Sequence, residues 1–279
     1  MRTALTIAGS DPSGGAGIQA DLKTFAAFGL YGASAITAVT VQSTRGVEAI
    51  SPLSSDLVTA QIEAVAGDLA IDATKIGMLA TAAIVEAVAA AIKELELPLV
   101  VLDPVLVSTS GERLLDADGV QAMCVELLPL ARVITPNIPE AEALSGRRIG
   151  SLDAAREAAR RIHDMGPAAV IITGGHGPGT KDGPGTKDRG PGTEIVDVLF
   201  DDGQFHEFRT PRIDSTHTHG TGCTFASAIA AGLALGHSVP EAAARAQQYV
   251  AGAIAHAPGI GHGRGPLNHF WEWPLKSEV

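Results

Sequence analysis

The chain has few cysteines and no long apolar run. Its 279 residues include two cysteines, Cys124 and Cys223, which argues against a secreted scaffold built on disulfides and predicts reduced thiols. No apolar run approaches the roughly 20 residues that a membrane-spanning helix needs, and the N-terminal segment lacks the apolar region of a signal peptide. We therefore expect a soluble, cytoplasmic protein.

Positive charge and aromatic residues are also scarce. Lysine and arginine number 20 against 31 aspartate and glutamate residues, which gives a net charge of −11. This balance argues against nucleic acid or an anionic membrane as a partner. A bound anion stays compatible with it, because a local cluster of backbone N–H groups holds phosphate whatever the overall charge. Aromatics make up 4% and apolar residues 46%, so we expect a core of small side chains.

Two common nucleotide-binding signatures are missing. No Gly-Lys-Ser/Thr sequence ends a glycine-rich loop, which argues against a Walker A ATPase. The Gly-x-Gly at 220–222 does not follow the first strand, so a dinucleotide-binding fingerprint is poorly supported. Any phosphate site must therefore be built differently.

Short apolar strands alternate with helices along the chain. Examples are strands over 4–8 and 99–102 and helices over 18–28 and 222–235. This alternation predicts an α/β fold, with a doubly wound, mostly parallel central sheet flanked by helices on both faces. Because no linker divides the pattern, we expect a single domain over 1–279.

Residues 177–194 depart from this pattern. They consist of repeated Gly-Pro-Gly-Thr units, a density of proline and glycine that does not build regular structure. We expect a flexible insertion. A lid over a ligand is the alternative, because the segment follows a strand end.

The segment Thr218–Thr224 reads THGTGCT and runs into an apolar helix. A helix start leaves N–H groups unpaired, and Gly220 and Gly222 let an anion approach them. A thiol at this place is expected to have a lowered pKa, so Cys223 is predicted to act as thiolate or base. The segment favours phosphoryl transfer; the alternative is a glycine-softened helix start with a buried cysteine behind it.

Further candidates follow the ends of predicted strands, where ligands bind in such sheets. Asp103 is placed to hold Mg²⁺ through water, or to cap a loop. Asn137 and Glu140 lie three apart at a helix start, which indicates either a ligand-binding face or a capping box. His217 and His219 raise the idea of a zinc site, although no fourth ligand is apparent.

Seven segments carry a family resemblance. They are ALTIAGSDPSGGAGIQAD (4–21), TAVTVQ (37–42), KIGML (75–79), DPV (103–105), TPNIPEA (135–141), THGTGCT (218–224) and GHGRGPLNHF (261–270). Together they resemble the hydroxymethylpyrimidine/phosphomethylpyrimidine kinases, the thiamin-pathway branch of the ribokinase-like superfamily. The matches span almost the whole chain in order.

The resemblance implies a reaction and its cofactors. It implies transfer of the γ-phosphoryl group of ATP, with Mg²⁺, to 4-amino-5-hydroxymethyl-2-methylpyrimidine and then to its monophosphate, giving the diphosphate. It also implies a homodimer. In the second step the acceptor is already an anionic phosphate, so we expect Cys223 to matter less there than in the first.

The resemblance further implies roles for individual residues. Gln42 would hydrogen-bond the aminopyrimidine, and the ring would be lined by Gly9, Asp21, Met78 and Val105. Magnesium would be held, through water, by Asp103 and Glu140. The ATP phosphates would be bound by Asp103, Asn137, Glu140, Thr173, Gly175 and Thr221. The amides of 220–223 would form the anion hole, and Cys223 stands where ribokinase relatives carry an aspartate base.

One departure and three alternatives stay open. Thr173 replaces a lysine that the family often carries, and Lys181 or Lys187 of the insertion is a candidate substitute. A pyridoxine/pyridoxal kinase of the same fold is the nearest alternative, although Gln42 and Met78 favour the pyrimidine. A non-catalytic pyrimidine-binding protein is the second, and a metallohydrolase is a distant third.

Overall fold

The computed structural model describes residues 1–107, 111–112, 114–174 and 194–273. The strands are β1 (Thr3–Ser10), β2 (Tyr31–Ser43), β3 (Gly46–Pro52), β4 (Ala73–Ile76), β5 (Val100–Leu102), β6 (Val133–Ile134), β7 (Ala169–Ile172), β8 (Glu194–Asp201) and β9 (Gln204–Pro211). The α-helices are α1 (Gly17–Ala27), α2 (Ser55–Ala66), α3 (Ala82–Glu94), α4 (Ala117–Ala122), α5 (Ile138–Ser145), α6 (Leu152–His163), α7 (Thr221–Ala234) and α8 (Val239–Ala255).

The strands form a nine-stranded sheet in the order β3-β2-β1-β4-β5-β6-β7-β8-β9. All pairs from β2 to β7 are parallel. The pairs β2–β3, β7–β8 and β8–β9 at the two edges are antiparallel. The predicted doubly wound, mostly parallel sheet is therefore confirmed, with antiparallel hairpins at its margins.

Helices cover both faces of the sheet, as continuous apolar strands require. Strands β4, β5 and β7 are buried along their whole length. One core lies under α2, α3, α5 and α6, and the other under α1, α7 and α8. Every residue of α7 from Thr224 to Ala234 is buried, and most of them are alanine or similarly small. These small side chains let α7 pack closely between the sheet and α8.

The helical stretch over residues 120–130 changes its pitch twice. The α-helix α4 passes into a π-helical turn over Met123–Leu127 and a 3-10 turn over Leu128–Leu130. Pro129 cannot donate a backbone hydrogen bond, so a regular helix cannot continue through it. Cys124, in the π turn, is half-buried against the core, as expected for a structural cysteine.

The carboxyl ends of the parallel strands meet at one edge of the sheet, where the candidate residues cluster. The predicted insertion over 177–194 falls outside the described residues, apart from Glu194, which begins β8. Within the described part of the chain, no helix is both long and apolar enough to cross a membrane.

Candidate active site

The glycine-rich loop after β1 is held in shape by Asp11. Its carboxylate accepts hydrogen bonds from the backbone N–H groups of Ser13 (2.8 Å) and Ala16 (2.9 Å) and from the Ser13 hydroxyl (2.9 Å). Although burial opposes ionisation, hydrogen bonds from His219 and Ser13 lower the pKa of Asp11 to about 2. Asp11 is therefore ionised and anchors the loop. Sequence reasoning missed it, although it is the first charged residue after a buried strand.

This loop packs directly on the start of α7. Gly220, the residue before the helix, has φ of 83°, in the left-handed region. A Cβ at this position would overlap the carbonyl oxygen of Gly15, so only glycine allows the two segments to meet. The N–H of Gly17 donates a hydrogen bond to the Cys223 sulfur, which joins the loop to the first helical turn.

The first turn of α7 offers N–H groups to a ligand. The Thr221 N–H donates to the Thr218 carbonyl (3.3 Å), and the Thr224 N–H donates to the Gly220 carbonyl (2.9 Å). The N–H groups of Gly222 and Cys223 meet no acceptor among the described residues. The predicted anion site stays a prediction, and these two N–H groups are the donors available to it.

A charged cluster lies buried beneath this turn. Lys75, on β4, has no exposed side-chain surface; its Nζ lies 3.0 Å from Oδ2 of Asp21 and 4.0 Å from Oδ2 of Asp103. Although burial disfavours the ammonium, the negative charge of Asp21, followed by that of Asp103, raises the pKa of Lys75, so it stays charged. Sequence reasoning missed Lys75. The available signal was a single lysine inside a fully apolar strand, which requires a buried partner.

Asp21, a predicted substrate residue, is part of the buried charged cluster. It is fully buried, and both carboxylate oxygens are occupied. Oδ1 accepts a hydrogen bond from Ser227 (2.6 Å), and Oδ2 accepts from Thr6 (2.6 Å) and Lys75 (3.0 Å). Asp21 therefore lies beneath the site, where it holds Lys75 in place. Its predicted contact with the substrate ring stays a prediction; the motif gives the residue's position in the chain but not its depth in the fold.

The expected lowering of the Cys223 pKa is wrong. Burial raises the pKa of the thiol to about 12. Lys75 and the Gly17 N–H oppose this shift, but the nearby carboxylates of Asp103 and Asp21 add to it. The helix N-terminus is outweighed by desolvation and two negative charges. At neutral pH Cys223 is a thiol.

Asp103 and Glu140 are two buried carboxyl groups that repel each other. Burial raises the pKa of Asp103 to about 6, against the effect of Lys75. Burial, followed by the charge of Asp103, raises the pKa of Glu140 to about 8. Oδ2 of Asp103 is buried without a hydrogen-bond partner among the described residues. A Cβ at Gly222 would lie 4.0 Å from both carboxylate oxygens of Asp103, so this carboxylate faces the start of α7.

The capping interpretation of Asn137 and Glu140 is confirmed. The Asn137 side chain accepts from the Glu140 N–H (3.0 Å), and Oε2 of Glu140 accepts from the Asn137 N–H (3.0 Å). This box begins α5. It fixes the Glu140 carboxylate close enough to Asp103 for the two charges to interact.

These residues fit a divalent cation. Two carboxylates of raised pKa, one with an unpartnered buried oxygen, are hard oxygen donors that a cation of charge +2 would stabilise in their ionised forms. In the described parts of the chain, no group of three or more His, Cys, Asp or Glu side chains is arranged to hold a metal ion. Few protein ligands besides Asp103 and Glu140 would therefore hold the cation, as is common for Mg²⁺.

Four of the five predicted substrate residues lie beside this cluster. The Met78 sulfur approaches within 3.2 Å of where a Cβ on Gly9 would lie. Met78 belongs to a small apolar group against which Val105 packs. Gln42 lies near the end of β2, and its Nε2 atom is 3.3 Å from Nε2 of His219. Gly9, Gln42, Met78 and Val105 are thus brought to one edge of the sheet, above Asp21.

The two histidines of the zinc hypothesis serve other contacts. Nε2 of His219 lies 2.8 Å from Oδ2 of Asp11. The His217 N–H donates to the Ser215 hydroxyl (3.1 Å). The zinc hypothesis therefore gains no support from the described residues.

A C-terminal glycine-rich loop closes over the turn that follows Gln42. The Thr44 hydroxyl accepts hydrogen bonds from the N–H groups of His262 and Gly263 (3.2 Å each). The Thr44 carbonyl accepts from the Arg264 N–H (2.8 Å). A Cβ on Gly263 would overlap that same carbonyl, so the loop lies backbone to backbone on the turn. These contacts fix the β2–β3 turn, which directly follows the end of β2 where Gln42 lies.

The remaining predicted phosphate residues are Thr173, Gly175 and Thr221. Thr173 is half-buried after β7, and its N–H donates to the Pro136 carbonyl (3.0 Å) beside Asn137. The Thr221 hydroxyl donates to the Thr218 carbonyl (2.8 Å). Gly175, Lys181 and Lys187 lie outside the described residues.

Comparison with known proteins places this arrangement among known enzymes. Residues 11–268 match the family model described as phosphomethylpyrimidine kinase. The chain is 46% identical over 267 residues to the hydroxymethylpyrimidine/phosphomethylpyrimidine kinase of Bacillus subtilis, covering 96% of this chain and 94% of the relative. It is 47% identical to the thiamine biosynthesis bifunctional protein ThiED of Geobacter sulfurreducens, where 95% of this chain spans 52% of that protein.

Solved structures of two kinds resemble the fold. The phosphomethylpyrimidine kinase of Clostridium difficile matches with a TM-score of 0.77 at 40% identity, covering 91% of this chain and 100% of that one. The pyridoxal kinase of Staphylococcus aureus in complex with AMP-PCP and pyridoxal matches with a TM-score of 0.85 at 34% identity, covering 99% and 96%. The fold is therefore shared by kinases named for two different substrates.

Proposed function

The chain belongs to the phosphomethylpyrimidine kinase family, and on that premise we propose that it is an ATP-dependent kinase of thiamine biosynthesis. It phosphorylates 4-amino-5-hydroxymethyl-2-methylpyrimidine and then the monophosphate, giving the diphosphate. The family assignment confirms the phosphotransferase class expected from the sequence. The observation that carries the proposal is the first turn of α7, where the N–H groups of Gly222 and Cys223 meet no acceptor among the described residues and the Asp103 carboxylate lies near Gly222.

The pyrimidine end of the site is formed by an amide and apolar groups. Gln42 carries both a donor and an acceptor, which match the exocyclic amino group and adjacent ring nitrogen of an aminopyrimidine. Met78 and Val105 supply apolar surface for the ring, and Gly9 leaves room for it. This division of labour is typical of small-molecule sites, in which a few polar groups orient an otherwise apolar ligand.

The phosphate end stabilises charge. Phosphoryl transfer passes through a loose transition state whose charge lies on the equatorial oxygens, so positioning and neutralisation matter most. The N–H groups of Gly222 and Cys223 are fixed donors for those oxygens. Thr173, Gly175, Thr221 and Asn137 stay predicted contacts of the ATP phosphates.

Asp103 and Glu140 are the proposed residues for Mg²⁺, through water. When bound, Mg²⁺ neutralises charge on the phosphate oxygens. Asp103 and Glu140 hold the positive charge at this end of the site, and the capping box keeps the Glu140 carboxylate from turning away.

Cys223 begins the reaction as a thiol. The hydroxymethyl oxygen forms a bond to the γ-phosphorus, the bond from phosphorus to the ADP oxygen breaks, and the hydroxyl proton passes to a nearby acceptor. A thiol of pKa about 12 orients the hydroxyl rather than removing its proton beforehand. We propose that Asp103, the carboxylate of this cluster that lies near the start of α7, accepts the proton. A loose transition state tolerates this late proton transfer.

Two further expectations stay predictions. A homodimer is proposed from family resemblance. A cytoplasmic location is proposed from the two free thiols, which suit a reducing compartment.

A pyridoxal kinase is the second candidate function, favoured by the similarity to the Staphylococcus aureus enzyme.

The test is Mg²⁺-dependent release of ADP with hydroxymethylpyrimidine, its monophosphate and pyridoxal as acceptors. We expect turnover of both pyrimidines and little of pyridoxal, and a Gln42→Ala variant with a KM for the pyrimidine raised about tenfold, since a buried polar partner is lost. Gln121→Ala, on the exposed face of α4, is the matched control. Preference for pyridoxal would assign the chain to vitamin B6, and pyrimidine binding without turnover would indicate a binding protein.

A further inference from the structure

His219 joins four segments that are distant in sequence. Its ring contacts Asp11 of the glycine-rich loop (2.8 Å) and Gln42 near the end of β2 (3.3 Å). Its backbone N–H donates to the Gly265 carbonyl of the C-terminal loop (3.1 Å), and the residue directly precedes Gly220 at the start of α7. It is almost fully buried, and a Cβ on Gly15 would overlap its ring. A side chain this enclosed has one orientation.

The contact with Asp11 determines where the ring carries a proton. Asp11 is ionised and accepts hydrogen bonds only, as its pKa of about 2 requires. Nε2 lies 2.8 Å from this carboxylate, so it must carry the hydrogen and donate it, whether the ring is neutral or charged. A bare Nε2 would place two acceptors against each other.

The same nitrogen therefore cannot accept a hydrogen bond from Gln42. An amide NH₂ placed 3.3 Å from an N–H would set two donors against each other. The oxygen and nitrogen of a glutamine amide are assigned from the hydrogen-bond network, because their shapes are nearly identical. The network here requires the Gln42 carbonyl oxygen to face His219.

The opposite end of the amide gives the same answer independently. The Thr40 hydroxyl lies 3.0 Å from the Ser10 carbonyl and 3.0 Å from the second polar atom of the Gln42 amide. A hydroxyl has one hydrogen, and the Ser10 carbonyl only accepts, so this hydrogen goes to Ser10. Thr40 is then left as an acceptor, which requires the Gln42 NH₂ to face it.

We propose that His219 is a positioning residue that fixes the orientation of the Gln42 amide, and thereby makes the site selective for an aminopyrimidine. The selectivity part rests on the proposed function. Asp11 fixes the proton on Nε2 of His219, and His219 in turn holds the Gln42 amide in one orientation. If the amide rotated by 180°, its donor and its acceptor would exchange places toward the substrate ring. A substrate without an exocyclic amino group beside a ring nitrogen, such as pyridoxal, would lose less from that exchange, because it does not present this paired donor and acceptor to the amide.

Kinetics test the consequence for selectivity. In His219→Ala we expect the KM for hydroxymethylpyrimidine to rise about tenfold with kcat changed less than about threefold, since an unfixed amide pairs poorly with the ring. His219→Gln keeps a donor for Asp11 and should recover most of the affinity. His237→Ala, at the α7–α8 turn, is the matched control. A KM unchanged in His219→Ala, or an equal loss on pyridoxal, overturns the proposal.

A spectroscopic test uses the free protein and needs no substrate. With selective isotope labelling, nuclear Overhauser contacts from the Gln42 side-chain NH₂ should reach the Thr40 methyl group and not the ring protons of His219. In Thr40→Val the same NH₂ resonances should shift, because their acceptor is gone. Contacts between the NH₂ and the His219 ring protons would refute the orientation even in a protein that binds no pyrimidine. Failure of the proposed function would leave this spectrum unchanged, so the two failures are distinguishable.

Discussion

The buried pair of Lys75 and Asp21 makes the sharpest prediction about stability. We consider three variants: Lys75→Met, Asp21→Asn and the double variant. Neither side chain has exposed surface, and their charged atoms are 3.0 Å apart. In Lys75→Met a buried carboxylate loses its cation, and removal of one partner of a buried ion pair costs about 3–5 kcal/mol. The Thr6 and Ser227 hydroxyls still donate to Asp21, so we expect a cost near the lower end, about 3 kcal/mol.

The double variant should recover much of this loss. The asparagine that replaces Asp21 would keep an acceptor for a hydroxyl donor, and the methionine that replaces Lys75 would fill the volume of the lysine stem. No unpaired charge from the pair would remain. Replacement of buried ion pairs by neutral residues of similar volume is often close to neutral. We therefore expect the double variant to lie within about 1–2 kcal/mol of the parent chain, with a coupling energy of at least about 2 kcal/mol.

Urea unfolding monitored by fluorescence and circular dichroism measures these differences, provided that the slope with denaturant is unchanged. Lys93→Met is the matched control, because Lys93 pairs with Glu126 at 2.9 Å with side chains 52% and 39% exposed. Its cost should stay below about 1 kcal/mol. If the double variant loses as much stability as the two single variants together, to within about 0.5 kcal/mol, the interpretation of Asp21 as the partner of Lys75 is refuted.

The same variants separate a structural role of Asp21 from substrate contact. If Asp21 acts through Lys75, the double variant should bind the pyrimidine with a nearly unchanged KM and lose kcat, because Lys75 lies beside Asp103 and Cys223. A KM raised tenfold or more in the folded double variant would restore the substrate-contact role expected from the sequence.

Three further outcomes follow from the site and its surroundings. Cys223→Ala should slow the first phosphorylation about 10–100-fold and the second much less, measured as separate ADP-release rates; equal losses would contradict the assigned role. Gly220→Ala should destabilise the chain and abolish turnover, whereas Gly236→Ala, at φ of 89° with open space around it, should cost only about 1–2 kcal/mol in urea unfolding. Burial, and then the charge of Lys23, lowers the pKa of His269 to about 4, below the unfolded value of about 6.5. The unfolded chain then binds the extra proton, so stability should fall by about 3 kcal/mol as the pH drops from 6.5 to 4, and His269→Gln should remove that slope.

The fold was predictable because parallel strands that are buried on both faces consist of continuous apolar residues in the sequence. Strand β5 is only three residues long, yet its apolar run was visible from the chain alone. The capping box at Asn137 was visible for a similar reason, since its two halves are three residues apart. Structural features formed by residues close together in the sequence could therefore be predicted from the sequence.

The electrostatics of the site were not predictable in this way. Asp11 and His219 lie 208 positions apart, and Asp21 and Lys75 lie 54 apart. The pKa of Cys223 depends on burial and on two carboxylates brought in by other elements, so a rule based on the helix start alone gave the wrong sign. Desolvation is a property of the assembled fold, and short motifs do not encode it.

The contact between Thr44 and the C-terminal glycine-rich loop has a consequence for how the chain matures on the ribosome. The residues that hold the β2–β3 turn are made 218 and 219 positions after it. Because chains fold from the N-terminus as they are synthesised, the nascent sheet can form long before the C-terminal loop makes its hydrogen bonds to this turn. Ligand affinity would be among the last properties that a growing chain acquires, after most of its stability. A ribosome-bound chain stalled before residue 261 is then expected to resist protease and yet retain no pyrimidine.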